Sequence, residues 1–548
     1  MDTFLARIPA RDEKGGITAR DEEFAVTGET LAQAVYLSGR VPAPALCSGL
    51  GRCGRCKVRY ISEAPPVLER EKLVLSHHDL DAGWRLSCLR EPVAGLHIAL
   101  PPPLPPLPPH PYGPGTPARM AEIKRSMAVG DALAVDFGTT SVWWRDVCTG
   151  GCPEAPAKED AERAADDESR INPQMGAGSD VVSRLAYAMR PEGRGRLRKL
   201  ALEALRDIAA ARDPHPGLLC VAANPAMTYI LLDKDVTHLA RAPYSLDYAG
   251  GAWEELPELG RAWIPPLVSP FVGGDISAGY ASLALDPEKA PPAYPFILAD
   301  LGTNGEMVLA LSPDEALAAS VAMGPALEGI NLSFGMDAGF GAVTGYRVTP
   351  LGLEAEMLGE TAPRGITGTG YLSLLRALKA SGLLGEDGSF TRPGAAFPLA
   401  KRILGNEQAA RQAGMEEKLR LPGKMFLSAT DVEEIVKAKA AFSLALASLL
   451  RAADLPAGRL NALFLAGSLG RHLAPGVLAD LGFVPAVLGA KIAPVGNSSL
   501  DGAALFLRHE GAREKSVAWS AAVRTLALAD DPAFAAAFAD HMRFSWRD

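Results

Sequence analysis

The chain lacks any run of about 18 uninterrupted apolar residues, the least a membrane-spanning helix needs. Its longest candidate, AFSLALASLL (441–450), is too short and reads as a buried helix. The opening segment MDTFLARIPARDEKGG has no apolar core of the roughly 7–15 residues that a signal peptide carries. A cytoplasmic protein without membrane association is therefore expected. Positive charge is not in excess: 55 Lys and Arg stand against 64 Asp and Glu, a net charge of −9. That balance argues against nucleic-acid partners, whose phosphates are bound by cations. No G-x-x-x-x-G-K-[ST] occurs, so nothing supports a P-loop. Cysteine is scarce, with seven in 548 residues. Such a count is no disulfide framework, and a reducing compartment keeps the thiols free or metal-bound.

Proline, by contrast, is concentrated. PPPLPPLPPHPYGP (101–114) holds nine prolines in fourteen positions and favours polyproline II, a semi-rigid spacer. It divides the chain. Residues 1–100 read as a small β-rich module: a strand in ITARDEEFAVT, a helix in ETLAQAVYLSG capped by Thr27 or Gly28 and ended by Gly39, then strands in CKVRYIS and GLHIAL. Residues 101–129 form the linker. From 130 to 510, strands alternate with helices, and two similar strand–turn segments, ALAVDFGTT and PFILADLGTNGE, suggest related lobes at about 130–292 and 293–510. Residues 511–548 read as an Ala-rich helical extension packed peripherally.

Cys47, Cys53 and Cys56 stand as C-x5-C-x2-C in CSGLGRCGRC, and Cys88 follows in RLSCLRE. Four thiolates can hold a [2Fe–2S] cluster, the plant-type loop being C-x4-C-x2-C with a distant fourth cysteine. Here the first gap is one residue longer. Structural zinc is the rival, but zinc sites favour two close pairs and Cys88 has no near companion. Gly49, Gly51 and Gly54 let the loop wrap closely, and Arg52 and Arg55 sit beside the anionic site, tuning it or meeting a partner. Cys148 and Cys152, in CTGGC, read as free cysteines at the edge of a polar loop.

Asp136 opens DFGTTS and Asp300 opens DLGTNGE. A strand ending in such a turn sets a carboxylate beside backbone donors. Asp136 can hold Mg2+ through water, while Gly138, Thr139 and Thr140 can approach phosphate oxygens. Gly302, Thr303, Asn304 and Glu306 offer the same chemistry from the second lobe, and Gly467, Ser468 and Gly470 in AGSLG leave room for a nucleotide. This set resembles the phosphate-1, phosphate-2 and adenosine pattern of the superfamily joining actin, heat-shock chaperones and sugar kinases.

Together with NPQMGAGSDVVSRL (172–185), PLVSPFVGGDISAG (266–279), MGPALEGINLSFGM (323–336) and VGNSSLDGA (495–503), these residues resemble the reductive activases of corrinoid enzymes over nearly the whole chain. The resemblance implies a β-grasp [2Fe–2S] ferredoxin-like domain joined to a two-lobed, actin-like (ribonuclease H-like) α/β ATPase. It also implies a function: ATP-dependent return of one electron to inactive Co(II) of a corrinoid protein, giving Co(I) for methyl transfer. The cofactors implied are the cluster, ATP and Mg2+. The partners implied are a corrinoid protein and an upstream low-potential electron donor, with a homodimer left open. ATP has a physical place in this scheme. A plant-type cluster sits near roughly −400 mV and Co(II)/Co(I) lower still, each deficit of about 59 mV being a factor of ten for one electron. Two other readings stand beside it, an ATP-gated donor to a non-corrinoid acceptor and a small-molecule kinase with a redox-sensing domain. Where relatives carry a G-N-T phrase this chain has Ala223, Asn224 and Pro225, so that segment's role does not carry over. The linker meets the first ATPase strand almost directly, so a dimer contact placed in an intervening small domain does not carry over either.

Overall fold

In a computed structural model, residues 2–547 are described apart from 12–15, 45, 103–129, 151–166, 213–214, 350–351, 360–361, 392–417, 422–424, 468, 470–472, 475 and 529–530. The proline-rich linker, bar its first two residues, lies outside them.

The N-terminal module is a five-stranded mixed sheet in the order Ile17–Ala25, Thr3–Arg11, His97–Ala99, Lys57–Tyr60, Trp84–Leu86. The strand Thr3–Arg11 runs antiparallel to the first and parallel to His97–Ala99. Phe4 and Phe24 stack at 5.6 Å, and the helix Leu31–Tyr36 packs Leu31 and Val35 into the same core. This is the β-grasp arrangement. The helix begins later than the glycine pattern suggests. Its N-cap is Thr30, whose hydroxyl accepts from the Gln33 N–H. Gly28 lies outside, in a left-handed turn at φ 82°.

Two six-stranded sheets follow, and their shared pattern is the signature of a duplicated fold. In the first, the central strand Ala132–Phe137 pairs antiparallel with Ser141–Val147, which pairs antiparallel with Glu168–Ile171. Its other edge runs parallel to Leu218–Ala222, and that strand parallel to Gly260–Ile264. In the second, Phe296–Leu301 pairs antiparallel with Asn304–Ser312 and onward to Glu315–Ala322. Its other edge runs parallel to Ala462–Ala466 and then to Ile492–Gly496. The central strands read as near-continuous apolar runs because both faces are covered. The helix Ala429–Ala452, which contains the run 441–450, is buried along most of its length.

The lobes meet where the helix Gly274–Ala284 of the first crosses the helix Ser498–Arg508 of the second. A Cβ at Gly502 would lie 1.9 Å from the Ala278 carbonyl oxygen, so only glycine lets the backbones approach this closely. The C-terminal segment is less peripheral than its alanine content implies. Arg524–Leu526 adds a strand parallel to Glu315–Ala322 at the edge of the second sheet. Trp519 and Phe544 are buried in that lobe's cores. Cys148 is disulfide-bonded rather than free, and Cys152 lies outside the described residues.

The N-terminal module is seated on the first lobe by exchanged apolar side chains. Leu37 is buried in the first lobe's core and Met175 in the module's core. Around them Arg196 donates to the Leu37 carbonyl at 2.8 Å and to the Thr27 hydroxyl at 3.1 Å.

Candidate functional site

The cysteine loop is wound by left-handed residues: Ser48, Gly49, Gly51 and Gly54 have φ of 49°, 82°, 65° and 69°. Cys47 and Cys56 are buried, Cys53 and Cys88 partly exposed. The distant Cys88 is brought in by its neighbour, because the N–H and hydroxyl of Ser87 both donate to the Cys56 carbonyl, at 3.1 and 2.7 Å. Beneath them the buried Glu71 accepts from the Leu86 N–H at 2.9 Å and from the Arg90 guanidinium. Residues 1–100 thus bring all four predicted cysteines together.

The strongest influence on the Cys47 thiol is Cys53 and on the Cys56 thiol is Cys88, so the four cysteines fall into two pairs. Among the described residues no three of the four sulfurs lie within 4.8 Å of one another. Four thiolates on one zinc at about 2.3 Å would all sit within about 4 Å of each other. Two irons with two cysteines each fit the observed pairing. The neighbouring Cys53 thiol draws Cys47 down to about 5, and the N–H groups of Arg52, Cys53 and Leu50 add to this against burial. Cys53 and Cys56 are pushed up by the thiol partner each faces and by burial. Such crowding of sulfur charge is what a bound cationic cluster relieves.

The second site is the cleft between the lobes. Asp136 and Asp300 end the two central strands, in the same register opposite Ala222 and Ala466. The segment just past Ala222 is therefore the first-lobe counterpart of AGSLG. There Asn224 donates to the Thr139 hydroxyl at 2.8 Å, and Asn172 to the Gly138 carbonyl at 2.7 Å, fixing the first turn. Asp136 is held from the opposite lobe, by Asn497 at 2.9 Å and Ser499 at 3.1 Å. Asp275, at the start of the first lobe's crossing helix, lies close enough to Asp300 to raise its pKa. Glu306 faces Asp300 across the hairpin. Gly467 meets this group as well, since a Cβ there would stand 3.1 Å from the Asp300 carboxylate.

Glu328 joins the two turns. It accepts from the Thr140 hydroxyl at 2.6 Å and the Thr303 hydroxyl at 3.0 Å, and those hydroxyls are 3.3 Å apart. Gly302 and Asn304 shape the second turn, the Gly302 N–H donating to the Asn304 carbonyl at 3.2 Å. Ser468 and Gly470 lie outside the described residues.

Protein surrounds these carboxyl groups, and among the described residues no basic side chain pairs with Asp136, Asp275, Asp300 or Glu306, so their acidity is weakened; the buried Arg184 is near enough to feel the charge of Glu328. Burial pushes Asp136 up to about 6. Burial and the Asp136 charge push Asp275 to about 7, and burial with the charges of Asp275, Asp136 and Glu328 pushes Asp300 to about 8. Glu306 is raised well above its usual range by burial and its acidic neighbours, and among the described residues its Oε1 is buried without a hydrogen-bond partner. A divalent cation fits this donor set, with water completing its shell as Mg2+ prefers.

Sequence reading missed Asp275, Glu328, Asn172, Asn224, Asn497 and Ser499. Each lies within or beside a segment that carried the resemblance, but its role exists only once the two lobes face each other.

Fold and site together define a class: a two-lobed protein of the actin-like fold that carries its own four-cysteine, β-grasp module. Comparison with known proteins narrows it. Residues 295–548 match the C-terminal, ASKHA domain of RACo, residues 132–288 the RACo middle region, and residues 17–93 the 2Fe-2S iron-sulfur cluster binding domain. The chain belongs to the RACo family. It is 28% identical to the corrinoid activation enzyme RamQ of Eubacterium limosum over 68% of this chain and 64% of that one. It is also 28% identical to the [Co(II) methylated amine-specific corrinoid protein] reductase of Methanosarcina barkeri, over 43% of each. The solved structure of a reductive activator for a corrinoid, iron-sulfur protein aligns over 100% of this chain and 99% of its own, at 22% identity and a TM-score of 0.62. That likeness shows the fold. Among the described residues no helix is long and apolar enough to cross a membrane.

Proposed function

We propose that the protein is an ATP-dependent reductive activator, passing one electron to the Co(II) of a corrinoid protein and yielding Co(I). The observation that supports this reading is the presence, on one chain of this family, of a two-pair cysteine site docked on two lobes that enclose an acid-lined cleft. The cluster, when bound by Cys47, Cys53, Cys56 and Cys88, supplies a one-electron carrier. An upstream low-potential donor restores the electron after each transfer. In the cleft, Asp136 and Asp300 hold Mg2+ through water, with Asp275 and Glu306 adding negative charge behind them. Gly138, Thr139, Thr140, Gly302, Thr303 and Asn304 receive the phosphates, and Gly467, Ser468 and Gly470 the adenosine. Asn497 and Ser499 orient Asp136 from the far lobe, so the site is complete only with the lobes together. A nucleotide that favours one lobe arrangement biases the cycle by its differential affinity.

The test is anaerobic. The reduced protein is mixed with a Co(II) corrinoid protein, and the Co(I) absorbance is followed with and without Mg-ATP. Co(I) forming only with ATP supports the reading. ATP turnover and an intact cluster with no Co(I) from any cognate partner moves the function to another acceptor.

A further inference from the structure

The cysteine loop touches both lobes. On the first, the Ser48 hydroxyl donates to the Asp180 carboxylate at 2.6 Å and accepts from the Ser179 N–H at 2.8 Å. On the second, Arg52 pairs with Glu434 at 3.2 Å, and Arg55 donates to the carbonyls of Gly329, at 3.3 Å, and Gly335. Ser48 follows Cys47, Arg52 precedes Cys53, and Arg55 precedes Cys56. The residues flanking all three loop cysteines are therefore tied down to the ATPase.

Gly329 directly follows Glu328, the carboxylate that joins Thr140 to Thr303. The two belong to one turn: residues Pro325–Glu328 make a 3-10 turn, and Gly329 closes it in a left-handed conformation at φ 71°. A Cβ on Gly329 would stand 3.0 Å from the Met336 carbonyl oxygen, so the turn is packed against the segment carrying Gly335. Glu328 thus occupies, with its own carboxylate, the space between two hydroxyls that a phosphate group would use. An incoming phosphate competes for both hydroxyls and repels Glu328 at close range.

We propose that the turn 325–329 is a nucleotide-responsive docking site for the cysteine loop: phosphate displaces Glu328 from Thr140 and Thr303, the turn shifts, and Arg55 loses its carbonyl partners. The module stays seated on the first lobe through Leu37 and Met175 while the loop comes free of the second lobe. Nucleotide binding then uncovers the face of the cluster that the ATPase covers at rest, which is the face a redox partner must reach. This rests on the nucleotide site proposed above but not on the identity of the electron acceptor.

The experiment is amide hydrogen exchange on the full-length, cluster-loaded protein under anaerobic conditions, with and without Mg-AMPPNP. Protection of residues 136–140 in the same run reports that the cleft is filled. With nucleotide, exchange in residues 48–56 and 329–336 should rise about tenfold. Arg55→Ala should show the raised exchange in 48–56 without nucleotide and no further rise with it. Glu434→Gln, which loosens Arg52 from the other side, should raise exchange partway and remain responsive. Unchanged exchange in 48–56 while residues 136–140 become protected overturns the proposal. So does Arg55→Ala behaving as the parent chain. A failure to form Co(I) overturns the activase reading and leaves this result standing.

Discussion

Single side chains set what each site can hold. Cys53→Ser should abolish the visible iron–sulfur absorbance while ATP binding survives, since the cleft lies in other domains; an unchanged spectrum would remove Cys53 from the ligand set. Asp136→Ala or Asp300→Ala should abolish ATP-dependent Co(I) formation with the cluster still reducible by dithionite, and activation retained by both would sink the cleft assignment. The raised acidities of the cleft give a pH dependence of definite sign. Asp136 and Asp300 bind protons more tightly folded than unfolded, so their contribution to stability is full below about pH 4 and is lost as pH rises through about 6 and about 8. Without Mg2+, the melting temperature should fall between pH 6 and 8.5. Mg2+ should restore it, because cation binding displaces the protons and tightens by up to about tenfold per pH unit for each proton released. Calorimetry with Asp300→Asn as control decides this, a pH slope unchanged by the substitution counting against it.

The elements were legible where local pattern dominates. Ala132–Phe137 and Phe296–Leu301 are apolar runs ended by a turn, and two such runs with matching turns give the duplication directly. The N-cap at Thr30 was not legible, because Thr27, Gly28 and Thr30 all satisfy the composition of a helix start and only the chain's path selects one. Nor was the use of Asn497, Ser499 and Asp275, which cross from one lobe to serve the other. Nothing within a window of sequence marks such exchange. The helix crossing carries a prediction of its own. Gly502→Ala should gain about 1 kcal/mol of helix propensity. Yet its methyl would meet the Ala278 carbonyl at 1.9 Å, and overpacking against backbone costs about 1–3 kcal/mol. Net destabilisation is expected, together with weaker nucleotide binding because the lobes are held apart. A variant as stable as the parent, with unchanged affinity, would show that the helices separate freely.

At the scale of the molecule, the cluster module and the ATPase are joined at Leu37 and Met175 by packing as well as by the linker. The linker's composition reads as a semi-rigid spacer. The packing shows where the module is seated, which no pattern in PPPLPPLPPHPYGP could convey. Met175→Ala, removing a fully buried side chain from the module's core, should cost about 2–5 kcal/mol and split thermal unfolding into two transitions, the module melting first. A single transition shifted as a whole would mean that the module does not unfold apart from its seat.

The strand Arg524–Leu526 has a practical consequence for anyone who handles this protein. It covers the outer edge of Glu315–Ala322, whose Ala316, Leu317, Ala318 and Ala319 are buried. A recombinant fragment cut at residue 510, where the Ala-rich tail begins, would bare a row of unpaired amides beside small apolar side chains. Such a border recruits other chains, and the fragment should precipitate or form inclusion bodies where the full-length protein remains in solution.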